Sequence, residues 1–313
     1  MKPVNFLLLL VLSVIWGGSF IFTRILAPVL GPVLTADLRL LVGGAVLLPF
    51  VWGILVRDRR RLPLGFLLVL GIFNSGIPFL LYSFAALHIP GSVSAITNSL
   101  TPVFTAVYAA LWLGEAFTFR KGAGLVLGVT GVAVISAGGS FLLNPWSLLA
   151  VLAGVGATNF YALSGVAIKR KGLNINPIVM AGVTQMAAGA VIFPVSLAFP
   201  VPGPVTGGTV LLVLAFGALC SGLAYVIYFR LIAQEGPTRA LSVTFLIPVF
   251  GVFWGNLFLK EIIDGSTILG MAVILTGTYL VVFPGRRRHR EGSAPGAEAV
   301  PPADILLSSE ERL

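Results

Sequence analysis

Eight polar or aromatic residues stand in stretches of chain that are otherwise apolar: Trp16, Asn74, Tyr82, Asn98, Asn159, Tyr225, Tyr228 and Thr244. None is a strong base or an activated nucleophile. Their indole, phenol, amide and hydroxyl groups can hydrogen-bond a small solute, and the rings can stack on it. Three prolines lie among them. Proline has no N–H, so within a helix it leaves the carbonyl four residues earlier without a donor. Pro78 frees the carbonyl of Asn74, Pro102 that of Asn98 and Pro248 that of Thr244. In lipid such a carbonyl must be satisfied by protein, water or ligand. These eight residues are therefore the expected substrate contacts, and the three prolines the expected helix breaks.

Other chemistries lack the residues to carry them. Cys220 is the single cysteine and His88 and His289 are the only histidines, which excludes a disulfide framework and leaves no ligand-spaced metal set. No metal, cofactor or catalytic residue is expected. There is no Gly-x-x-x-x-Gly-Lys-Ser/Thr loop, so ATP does not drive the protein directly. A membrane-embedded enzyme or lipid-handling protein is the alternative, and it would have to rest on His88, with Asp37 as its nearest candidate partner.

The elements that position these groups follow from composition. Charged residues make up 10% of the 313, hydrophobic residues 57%, and mean hydropathy is +1.02. A soluble chain carries roughly 25% charged residues, so most of this surface must face lipid. A bilayer core takes about 20 apolar residues per helix. Ten such stretches run near 4–26, 33–55, 63–87, 92–113, 121–138, 146–168, 177–198, 208–233, 239–259 and 266–284. The first, although Lys2 precedes a leucine run, is too long for a signal peptide and lacks a cleavage site, so it is expected to be an anchor.

With the N-terminus in the cytoplasm, all but Arg24, Arg39, Arg230 and Lys260 of the 20 Lys and Arg fall on cytoplasmic segments. The net charge of +9 then reflects orientation and contact with the lipid bilayer, and no basic face remains for nucleic acid. Both termini are expected in the cytoplasm, with 285–313 a disordered tail. Arg24, Arg39 and Arg230 lie toward helix ends, where a functional role and snorkelling to the interface are equally expected. No carboxylate stands convincingly at mid-depth. Glu115 and Glu261 are expected to be structural, bonding backbone or pairing with Lys121 and Lys260.

The chain also repeats itself. A shift of 146 pairs Gly71 with Gly217, Ser75 with Ser221, Tyr82 with Tyr228, Pro102 with Pro248, Glu115 with Glu261, and Gly131 with Gly277. A shift of 145 pairs Pro32 with Pro177, Gly44 with Gly189 and Pro49 with Pro194. Each unit, 1–140 and 141–284, holds five spans. Five is odd, so the second unit enters the membrane inverted, as in many secondary transporters. The fold class expected is an all-α membrane protein: ten transmembrane helices as two inverted five-helix repeats. The small-residue pairs Gly124/Gly128 and Gly251/Gly255 are expected to pack helices within the chain.

Trp16-Gly17-Gly18-Ser19-Phe20 opens the first span. Leu113-Gly114-Glu115 ends the fourth, followed by Thr118, Gly124, Gly128 and Gly131. Leu259-Lys260-Glu261 then precedes Gly270, Thr276 and Gly277. Across 4–284 this pattern resembles the EamA family of the drug/metabolite transporter superfamily. The resemblance implies an inner-membrane carrier of two EamA units, with relatives that export amino acids, other small metabolites or drugs. Cousins carrying nucleotide sugars or triose phosphates would want several basic residues along the cavity. Here the cargo expected is a small neutral, zwitterionic or moderately apolar metabolite, exported by alternating access. The oligomeric state is not legible.

Overall fold

The computed structural model describes residues 2–58, 62–138, 144–172, 175–235 and 243–283. The expected tail 285–313, Arg59, Arg60, Arg61 and Arg239 lie outside them. Every regular element among the described residues is helical. The spans are α1 (Pro3–Leu30), α2 (Pro32–Asp58), α3 (Leu64–His88), α4 (Gly91–Leu113), α5 (Phe119–Gly138), α6 (Pro145–Lys171), α7 (Pro177–Ser196), α8 (207–235), α9 (Val243–Leu259) and α10 (Gly265–Val282). Nine are long and apolar enough to cross a membrane, and α9, at 17 residues, is the shorter tenth. Apolar side chains such as Phe6, Trp52, Val126, Leu211 and Phe258 project outward, as a lipid-facing surface requires.

Local chemistry starts and stops these helices. The side chains of Asn144, Asn176, Thr206 and Asp264 each accept a backbone N–H from the first turn of α6, α7, α8 and α10. At the end of α4, Gly114 takes a left-handed φ of 67°, and Glu115 N–H reaches back to the Ala109 carbonyl at 3.3 Å. At the end of α9, Lys260 takes φ 55°, and Glu261 N–H reaches the Gly255 carbonyl at 3.1 Å. The Leu-x-Glu motif is thus the same C-terminal stop built twice, once with glycine and once with lysine.

Three spans are irregular inside. A π-helical turn covers Ile72–Gly76 in α3 and another Phe216–Leu223 in α8. The two are repeat mates, and such turns mark functional sites frequently. Pro78 cannot explain both, since Ala224 occupies the corresponding place in α8. What they share is a glycine at the start, just before the turn in α3 and second in the turn in α8, pressed onto the other half. Gly71 lies against the Thr184 backbone on α7, and Gly217 against Val42 and Gly43 on α2. In α4 the helix stops at Asn98 and restarts at Thr101, one residue before Pro102. Pro248, in contrast, stays inside a continuous α9.

The major helix contacts cross between the halves and obey a pseudo-two-fold relation. α1 packs on α9 and α6 on α4; α3 packs on α6 and α8 on α1; α2 packs on α7 and α5 on α10. The α5–α10 crossing shows the symmetry residue by residue. A Cβ on Gly124 would stand 2.6 Å from the Gly277 carbonyl oxygen, and one on Gly270 would stand 2.7 Å from that of Gly131. Gly124 and Gly251 do pack helices within the chain. Gly128 lies against Leu100, and Gly255 meets the Glu261 carboxylate instead of a helix backbone.

Candidate functional site

Two aromatic pairs each bridge the seam between the halves. In one the Trp16 ring lies 5.2 Å from Tyr228 and 5.9 Å from Tyr225. In the other, Tyr161 stacks at 6.4 Å on Tyr82, which also meets Phe20 edge-on at 5.3 Å. Trp16 and Tyr161 are 145 residues apart, Tyr82 and Tyr228 146 apart, so the pairs are one contact turned by the two-fold. Trp16, Tyr161, Tyr225 and Tyr228 are half-buried, whereas Tyr82 is 5% exposed and belongs to the wall itself. The Trp16 indole N–H donates to the Cys220 carbonyl at 3.1 Å, inside the α8 π turn.

The break in α4 carries the next group. The Tyr82 hydroxyl donates to Asn98 Oδ1 at 3.2 Å. The carbonyl that Pro102 frees on Asn98 is closed by the Thr101 hydroxyl at 2.8 Å, and the one that Pro248 frees on Thr244 accepts from the Ser99 hydroxyl at 3.3 Å. Hydroxyls thus seal both carbonyls. Asn74 is half-buried in the α3 π turn, with Ser75 Oγ 3.5 Å from its amide. Asn159 accepts from the Tyr108 hydroxyl at 2.8 Å and donates to the Val155 carbonyl at 2.9 Å.

That Tyr108–Asn159 bond has a counterpart that sequence inspection passed over. Trp254, the repeat mate of Tyr108, donates its indole N–H to the Val14 carbonyl at 3.2 Å. One bond ties α4 to α6 and the other ties α9 to α1. Both donors are aromatic and separated by the 146-residue shift, a signal available in the sequence although the two residues differ.

Arg39 was expected near a helix end, but it points inward. Its Nε–H donates to Ser221 Oγ at 3.1 Å, and its guanidinium carbon lies 3.8 Å from the Phe79 ring centroid and 4.6 Å from that of Phe216. Ser221 is the midpoint residue of α8, within the π turn. Asp37 is fully buried and accepts from the Ser196 hydroxyl at 2.9 Å. His88 stacks on Trp146 at 5.7 Å, so the structure does not bring together the pair that an embedded enzyme would need. Among the described residues no three His, Cys, Asp or Glu side chains gather around a metal position.

The two faces of the bundle are tied differently. At the face bearing the N-terminus, Glu235 accepts from Asn5 at 2.7 Å, and Glu115 pairs with Lys169 at 2.7 Å and Lys121 at 3.5 Å. The hydrogen bond from Lys169 holds the Glu115 carboxyl below its ordinary range. At the opposite face Glu261 accepts the backbone N–H groups of Gly91 and Ser92, and Arg24 donates to the Ala86 carbonyl. Between them opens a cleft of about 400 Å³ lined by Arg24, Ile25, Pro28, Pro90, Leu259 and Glu261.

A family model described as the EamA-like transporter family matches residues 5–137 and 148–283. The chain is 27% identical over 283 residues to the uncharacterized transporter YvbV of Bacillus subtilis, covering 90% of this chain and 92% of that one. It is 28% identical to protein PecM of Dickeya dadantii, over 85% of this chain and 88% of that one. A probable terminal-alkyne amino-acid exporter of Streptantibioticus cattleyicolor is 24% identical, over 92% of this chain and 96% of the relative. A crystal structure shares the fold with a TM-score of 0.61 at 19% identity, covering 90% of this chain and 98% of that one.

Proposed function

This chain belongs to the EamA-like transporter family, and from that premise we propose that it is a secondary carrier exporting a small neutral or zwitterionic metabolite, such as an amino acid. It is a multi-pass membrane transporter and not an enzyme. In our reading the units 1–140 and 141–284 rock about their shared seam, exposing it to each side of a cell inner membrane in turn. The cargo sits among Trp16, Asn74, Tyr82, Asn98, Asn159, Tyr225, Tyr228 and Thr244. The break before Pro102 and the π turn before Pro78 are where the wall helices bend, while α9 runs unbroken through Pro248.

The observation that carries this reading is the two-fold relation between the Trp16–Tyr228 and Tyr161–Tyr82 pairs. When both halves offer equivalent contacts, each can adopt the other's arrangement, and the two access states lie close in energy. The basic residues orient the chain with its N-terminal face, and so both termini, toward the cytoplasm. The amino-acid class draws support from the relative in Streptantibioticus cattleyicolor. Efflux of radiolabelled amino acids from proteoliposomes tests the proposal. At least one should leave faster than from empty vesicles, and Trp16→Ala should slow it. If no small solute crosses faster than in the empty controls, the carrier reading fails.

A further inference from the structure

We infer that Arg39 is the anchor for an anionic end of the cargo, and that the cargo is therefore a small monocarboxylate. The inference rests on the carrier reading and narrows it. An arginine within a membrane helix is costly to insert and is retained for a partner or a function. Arg39 has no carboxylate partner among the described residues, where the ion pairs formed are Glu115 with Lys121 and with Lys169. Asp37, two residues away, is turned about 200° around α2 by helix geometry and bonds Ser196 instead. Ser221 occupies the Nε–H of Arg39. The four N–H groups on the terminal nitrogens bond nothing among the described residues, and they form the planar fork that a carboxylate fits.

The surroundings suit one negative charge. The Phe79 and Phe216 rings shield the guanidinium from lipid while favouring the cation. Tyr161 and Tyr225 lie within its electrostatic range. Arg24 is engaged with the Ala86 carbonyl at one face, and Arg230 is exposed, so neither doubles the charge at this site. A phosphate dianion would be left half-neutralised; a carboxylate is matched.

A second observation points to the same place. Gln185 on α7 is 1% exposed, yet neither its amide nitrogen nor its amide oxygen has a hydrogen-bond partner among the described residues. It sits beside Ser221 across the bare Cα of Gly43, one turn along α2 from Arg39. The amide supplies a neutral donor next to the guanidinium. The repeat mate of Arg39 is Thr184, whose hydroxyl bonds the Ala181 carbonyl at 3.1 Å. Only one half carries the charge, which gives the cargo a fixed polarity: carboxylate toward α2 and α8, remainder against Trp16, Tyr161 and Tyr225.

The test compares acids with their own amides. The full chain in proteoliposomes is assayed with radiolabelled L-amino acids and short 2-hydroxy acids, each against its carboxamide. The acid of at least one pair should move tenfold faster or more than the amide. Arg39→Gln should remove that preference, and Arg39→Lys, which keeps charge but loses the fork, should weaken it. Should Arg39→Gln not fold, the acid-over-amide ratio of the wild type and of Arg39→Lys decides. Protection of wild-type protein from phenylglyoxal by the acid and not by the amide is a second supporting result, absent in Arg39→Lys. Equal transport of acid and amide overturns the inference and leaves the carrier standing, as does an acid preference unchanged in both variants. Movement of no solute of either kind overturns the carrier reading, and the inference with it.

Discussion

Glu261 accepts the backbone N–H of Gly91 at 2.7 Å, so a carboxylate past the end of α9 caps the beginning of α4. The adjacent N–H of Ser92 reaches the other oxygen at 3.0 Å. Four N–H groups open every helix without intrahelical partners, and a negative charge there also meets the helix dipole favourably. Removing such a cap costs about 0.5–2 kcal/mol. Glu261→Ala should therefore lower the melting temperature in detergent. It should also speed maleimide labelling of a cysteine placed at Ile25, in the cleft beside it. A variant that melts and labels like its parent would show that the contact closes nothing.

Tyr108 and Asn159 form the seam bond between α4 and α6, and the Trp254 bond to Val14 repeats it between α9 and α1. A typical hydrogen bond contributes roughly 0.5–1.5 kcal/mol net. Tyr108→Phe and Trp254→Phe should each destabilise by about that much and should add when combined, because they tie different helix pairs. Tyr108→Phe with Asn159→Ala should fall short of additivity in a double-mutant cycle. Full additivity in that cycle would dissolve the bond's claim to hold the seam.

The ten spans, the repeat and the Leu-x-Glu stops were legible because lipid forces long apolar runs and inversion leaves the same residues at a fixed shift. The site was legible in part. Trp16, Tyr82, Tyr225 and Tyr228 could be picked as rings in apolar context, and the structure gathers them. The inward orientation of Arg39 was not legible, because position along a helix gives no rotation: seven residues from the start of α2 reads as an interface until the neighbours α3 and α8 are placed around it. The π turns were invisible as well, since Ala224 stands where the first copy has Pro78. The carbonyls freed by Pro102 and Pro248 were located correctly, but which hydroxyl would reach them depended on tertiary packing.

Lys260 holds a left-handed φ of 55° where its repeat mate Gly114 holds 67°. For a residue with a Cβ that conformation costs roughly 1–2 kcal/mol. Glycine escapes this cost but loses more backbone entropy, about 0.5–1 kcal/mol. Lys260→Gly should then raise stability by a few tenths to one kcal/mol, and Lys260→Val should lower it. Thermal melts in the same detergent check both signs. A destabilising glycine would mean that the lysine ammonium makes an interaction worth more than the strain.

Asp264 caps α10, accepting Thr267 N–H at 2.7 Å and the Ser266 hydroxyl at 2.8 Å. The Thr267 and Ser266 hydrogen bonds hold its carboxyl below the ordinary aspartate value of 3.8. A depressed folded-state pKa contributes stability that is present above 3.8 and is lost as pH falls through the folded value. Melting temperature followed below pH 4 should drop less steeply in Asp264→Asn than in wild type, although the variant starts lower. Parallel curves would assign the acid loss to other carboxylates.

Gly43 and Gly53 lie on the same helix and should answer oppositely to one methyl group. A Cβ on Gly43 would meet Ser221 and would stand 2.6 Å from Gln185 Oε1, where α2, α7 and α8 converge; a Cβ on Gly53 would have nothing within 4 Å. Overpacking a close contact costs about 1–3 kcal/mol, whereas relieving a mid-helix glycine returns about 0.5–1 kcal/mol. Gly43→Ala should thus lower the melting temperature while Gly53→Ala raises it slightly. Because the new methyl pushes on Ser221, which holds Arg39, Gly43→Ala should also slow efflux beyond any loss of folded protein. Gly53→Ala should leave the rate per folded molecule unchanged. If both variants transport alike at equal folded concentration, the convergence at Gly43 is packing alone and the guanidinium does not depend on it.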